Sequence, residues 1–176
     1  MGNNNPIFFL PVAKNLDRSK LSKWDDAVHF LPKDNLWHKQ PEKYNVRICQ
    51  SDHHWHPLSL WAICKGLQIG GLEFLEQEVA CLDAKQLTIT LNALEIVNET
   101  LVTSLPNLGE YEWEGSEWLR TTANHETFNQ AVPCYDLVDN TYMNPAVSFF
   151  TFTKTLVQVI KDALDHGQWL VYFAPK

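Results

Sequence analysis

The sequence predicts an α+β fold, a single globular domain over residues 1–176 with about four helices packed on a small mixed sheet. Three observations predict it. Apolar residues recur at spacings of three and four in four separate stretches, the period of a helix with one buried face. Short apolar or alternating runs occur near both ends and in the middle, as strands require. These two kinds of segment mix without a regular βαβ rhythm, which favours α+β over a doubly wound sheet.

Ile7 to Val12 reads as a short buried strand. A helix follows from about Arg18, where Leu21, Trp24, Val28 and Leu31 share a face and Pro32 stops the run. Tyr44, Val46 and Ile48 alternate with Asn45, Arg47 and Cys49, a strand pattern. Pro57 suits the first turn of a second helix, which turns Leu60, Trp61 and Cys64 inward and ends at Gly66. Gly70-Gly71 marks a turn, and Val79 to Leu82 a brief strand. Asp83 caps the next helix, with Gln86 three positions on in the manner of a capping box. Leu87, Leu91, Leu94, Val97 and Leu101 form its stripe. Residues 107–145 carry no clear period. Asn144-Pro145 then opens a long helix to about His166, with Phe149, Phe152, Leu156, Ile160 and Leu164 inward and Gly167 as its C-cap. Trp169 to Phe173 lacks polar alternation and reads as a central strand covered on both faces.

Composition narrows the function classes. At 176 residues and 45% hydrophobic content, the chain can close a core without disulfide or metal. Seven tryptophans and nine phenylalanines supply large buried areas. Fourteen basic residues against 21 acidic give a net charge of -7 with His neutral, which repels phosphate backbones. The densest basic stretch, Arg18 to Lys23, is followed at once by Asp25 and Asp26, so no nucleic-acid partner is expected. No apolar run reaches membrane-spanning length, and the N-terminus lacks a basic region and a cleavage site. Cys49, Cys64, Cys81 and Cys134 form no C-x-x-C pair. A cytoplasmic location with free thiols is the expectation.

Asp52-His53-His54-Trp55-His56 is the first chemical candidate. On a strand, His54 and His56 point to one face, roughly 6 to 7 Å apart. Such imidazoles could share zinc or another divalent transition metal, with His125 and Glu126 as distant further ligands and Asp52 orienting one ring. The same rings equally suit a half-exposed loop that caps the following helix or stacks on Trp55. The segment lacks both H-x-H-x-D-H and H-E-x-x-H. Cys49 lies near His53 and His54, as a Cys–His nucleophile would, whereas Cys64 and Cys81 fall on apolar stretches suited to inert core thiols. No G-x-S-x-G elbow or phosphate-binding loop is present, and no cofactor is expected.

The second candidate is Glu110-Tyr111-Glu112-Trp113-Glu114-Gly115-Ser116-Glu117-Trp118. Four carboxylates and three aromatic rings within nine residues suit a surface for a basic protein partner. They equally suit a solvated acidic face over buried Tyr111 and Trp113.

Phe152 to Leu156 and Ala163 to Phe173 resemble the ending of YfbM-like proteins, a family of small bacterial proteins without an established activity. Trp24 to Leu31 and Val79 to Leu94 are similar to two further stretches of that family. The resemblance implies an α+β fold and a cytoplasmic location, and brings no catalytic residues. The expected function is therefore a non-enzymatic binding protein, of immunity or antitoxin type, that uses its acidic aromatic surface. The alternative is a metal-dependent hydrolase on His53, His54 and His56, and the aromatic patch could instead make a homo-oligomer contact.

Overall fold

The computed structural model describes residues 7–12, 47–49, 55–103, 122–133 and 144–173. In chain order these form β1 (Ile7–Val12), β2 (Arg47–Cys49), α1 (Trp55–Gly66), a 3-10 turn (Glu73–Glu76), β3 (Val79–Leu82), α2 (Ala84–Thr103), α3 (His125–Gln130), α4 (Pro145–Asp165) and β4 (Trp169–Phe173). The helix expected from Arg18 to Leu31 lies outside the described residues.

The strands order as β2-β1-β4-β3. Each described pairing is antiparallel, so in these strands the sheet is antiparallel rather than mixed. Three described helices lie between β3 and β4, and among the described residues no βαβ crossover forces a parallel pair. Residues opposite one another across a ladder share a face. Phe9, Tyr172 and Ala80 therefore line one side of the sheet, with Leu170 and Leu82 beside them. That side belongs to the same core as the inner faces of α2 and α4. Val79, Val171, Leu10 and Val12 point the other way and are buried too. Leu170, Val171 and Tyr172 are each fully buried, which is why the closing run shows no polar alternation.

Local chemistry sets the helix ends. The Asp83 backbone N–H donates to Gln86 Oε1 at 3.1 Å, and the Gln86 N–H donates to Asp83 Oδ1 at 2.8 Å, a reciprocal cap for α2. Asn144 Oδ1 accepts from the Ala146 N–H at 2.9 Å, Pro145 occupies the first turn of α4, and Gly167 ends it at φ 62°. The α1 helix begins at Trp55, two residues before Pro57, so His56 sits on a helix and not on a strand. The structure adds α3, which hydrophobic period does not reveal because the helix is only six residues long. Its signal is a cap: Asn124 Oδ1 accepts from the Thr127 N–H at 2.9 Å, and Thr127 Oγ1 accepts from the Asn124 N–H at 3.0 Å.

The two long helices pack on each other across the core. Their contact includes one buried polar link, the Thr153 hydroxyl donating to Asn98 Oδ1 at 2.9 Å. This buried link favours one rotation of α4 against α2, since Asn98 Oδ1 would lose the Thr153 hydroxyl in a dry environment, whereas that hydroxyl can also turn to the Phe150 carbonyl at 3.1 Å.

Candidate functional site

Three helices converge on an open groove of about 490 Å³. Helical spacing explains its walls. From α2 come Glu95 and Glu99, with Asn98 and Val102 one step inward. From α4 come Lys154, Val157, Gln158 and Lys161, at offsets of three, four and seven, which places them on one face. His125, Phe128 and Asn129 close the third side from α3. Apolar groups thus make the floor, carboxylates one wall, and amines the other.

Lys154 is the most constrained group in the groove. Its half-buried ammonium donates to the Phe128 carbonyl at 2.5 Å and the Ala131 carbonyl at 2.8 Å. It also lies 4.0 Å from the centre of the Phe128 ring. Those carbonyls end α3, so the amine caps that helix from a neighbouring one. Burial lowers the amine's pKa below the usual lysine value. No carboxylate pairs with Lys154 or Lys161 among the described residues, nor does any cation pair with Glu95 or Glu99. Glu95 and Glu99 stand four apart on an exposed helix face, where like charges destabilise by a few tenths of a kcal/mol.

A second cavity, of about 380 Å³, lies between β3, the 3-10 turn and the start of α2. Its rim is tied together from within. The Gly71 N–H donates to both Glu73 carboxylate oxygens at 3.0 and 2.9 Å, and Thr90 Oγ1 donates to the Gly71 carbonyl at 2.9 Å.

Of the residues singled out from the sequence, the groove takes up His125, exposed at the first position of α3 with Glu126 beside it. His56 occupies the second position of α1, so the strand spacing invoked for His54 and His56 does not apply to it. His53, His54 and the segment Glu110, Tyr111, Glu112, Trp113, Glu114, Glu117 and Trp118 lie outside the described residues. Among the described residues no three His, Cys, Asp or Glu side chains converge as a metal would need. Sequence reasoning passed over Lys154 and Lys161, although two lysines seven apart on the apolar α4 were a readable signal.

Cys64 is fully buried, and its thiol is pushed up to about 12 by burial and then by the Glu73 carboxylate. It is an inert core thiol. In the folded protein, Cys64 is expected to resist alkylation at pH 8, while denatured protein reacts; peptide mapping by mass spectrometry reads this directly. The sign for stability follows. Between the ordinary thiol value of 9.0 and about 12, the unfolded chain gives up a proton that the folded chain keeps. Stability therefore falls as pH rises through that window, and urea titrations of Cys64→Ala should show a shallower fall.

No described helix is long and apolar enough to cross a membrane. No protein-family model, curated protein or solved structure matches the chain.

Proposed function

We propose that this is a non-enzymatic binding protein that docks a basic protein partner on an acidic face, in the manner of an immunity or antitoxin protein. The observation that carries the reading is the solvent side of α2. Ile89 and Ile96 are 43% and 51% exposed, and seven residues apart they stand on one ridge. Glu95 and Glu99 flank that ridge, with no cation among the described residues to neutralise them. Apolar anchors bordered by charge of one sign suit a specific interface, with the charge steering encounter. The net charge of -7 has the same sign, and Glu110 to Trp118 follows α2 within fifteen residues of its end at Thr103. A cytoplasmic setting belongs to the same proposal, supported by the buried free thiol of Cys64. So does kinship with YfbM-like proteins, whose similar stretches fall partly on β3, α2, α4 and β4.

A pull-down from cell extract, compared at low and high salt, tests it. Wild-type protein is expected to retain a basic partner at low salt and release it at high salt. Ile96→Asp, and separately the quadruple change of Glu110, Glu112, Glu114 and Glu117 to Gln, should each reduce retention of that partner. If every captured protein is retained equally by all three forms, the docking face is wrongly assigned.

A further inference from the structure

We propose that the groove between α2, α3 and α4 binds a short apolar peptide of two or three residues by both of its charged ends. Its terminal ammonium would sit against Glu95 and Glu99, and its terminal carboxylate against Lys154 and Lys161. Glu95 and Glu99 also flank the docking ridge of α2, but the groove is lined by neither Ile89 nor Ile96 and stands whether or not that ridge docks a partner.

The groove separates charge. Carboxylates lie on the α2 wall and amines on the α4 wall, over Val102, Phe128 and Val157. The two walls do not neutralise each other by ion pairing. With two acids and two amines, the site discriminates against a purely anionic or purely cationic guest. It favours a dipolar one with an apolar body. Packed helices lie about 8–10 Å apart, and an extended residue spans about 3.3–3.6 Å, so two or three residues carry their end charges across. The cavity of about 490 Å³ is of the size that holds such a molecule. Lys154 supplies the most specific contact. Two of its three N–H donors are spent on the Phe128 and Ala131 carbonyls, which hold the ammonium in place. The third is left for a guest oxygen, and among the described residues the amine has no carboxylate counter-ion of its own.

The test titrates the full chain with Leu-Leu and Leu-Leu-Leu by calorimetry, beside N-acetyl-Leu-Leu and Leu-Leu-amide. The unmodified peptides should bind with a dissociation constant on the order of 0.1–1 mM. Acetylation and amidation should each weaken binding about threefold to tenfold, as loss of one partly solvated charge contact does. Lys161→Gln and Glu99→Gln alter exposed positions and should leave the fold intact. In Lys161→Gln the penalty for amidation shrinks and that for acetylation persists; in Glu99→Gln the two penalties exchange. Absence of binding up to about 10 mM, equal binding of blocked and free peptides, or penalties that ignore both variants would each overturn the assignment. Because the blocked peptides act on unaltered protein, the outcome does not depend on how any variant folds. Ile96→Asp, which addresses the docking ridge, should leave Leu-Leu binding unchanged.

Discussion

Tyr172→Ala is expected to destabilise the protein by about 3–5 kcal/mol and to lower Tm by on the order of 10 °C. Tyr172 is the fourth of the five residues of β4, an inner strand of the sheet, and is fully buried. On one side its cross-strand partner is Phe9 of β1, with ring centres 5.5 Å apart. On the other side the partner is Ala80 of β3, whose small side chain leaves room for the edge of Phe74, 5.1 Å away and nearly perpendicular. One ring thus joins β1, β4 and the 3-10 turn. Truncating it removes two aromatic contacts and opens a cavity that the strands cannot collapse to fill, because their register is fixed by the ladders on both sides. Urea unfolding checks the prediction against Ile96→Ala, an exposed change expected to stay within about 0.5 kcal/mol. A loss below about 1 kcal/mol for Tyr172→Ala would mean that this side of the sheet does not close against the ring.

The contrast between what could be read beforehand and what could not has a physical basis. The caps at Asp83 and Asn144, the stop at Gly167 and the strand Val79–Leu82 depend on contacts between residues three or four apart, or on a short apolar run, and the sequence shows such features directly. The groove depends on which helices meet. Glu95 and Lys161 are 66 positions apart, and each alone is an ordinary solvent-facing residue of an amphipathic helix. Only the packing of α2 on α4, locked by Asn98 and Thr153, makes them opposite walls. The short α3 was hidden for a related reason, since six residues hold too few turns for a hydrophobic period to emerge. His56 illustrates the reverse error. A strand assumed for His54 and His56 gave a metal-like spacing, but α1 starts at Trp55, before Pro57, and puts His56 on a helix.

Gly71→Ala carries the other large expected effect, about 2–4 kcal/mol, from two separable causes. The backbone at Gly71 has φ 106°, a conformation that a side chain disfavours, and this strain should cost roughly 1–2 kcal/mol wherever space exists. A Cβ at this position would also stand 2.6 Å from Ile89 Cγ2 and 3.4 Å from the Ile89 carbonyl. The Ile89 methyl branches from Cβ on a helix, where its rotamer is nearly fixed, so it cannot swing aside at little cost. Nor can the bend retreat. Glu73 grips the Gly71 N–H, and Thr90 of α2 grips its carbonyl. The double variant Gly71→Ala with Ile89→Ala separates the terms, because removing the branch relieves the clash and leaves φ as it was. It should recover about half of the loss relative to Ile89→Ala alone, a coupling readable by a double-mutant cycle. Full recovery would show that backbone strain at Gly71 is negligible, and no recovery would show that the bend does not press on α2.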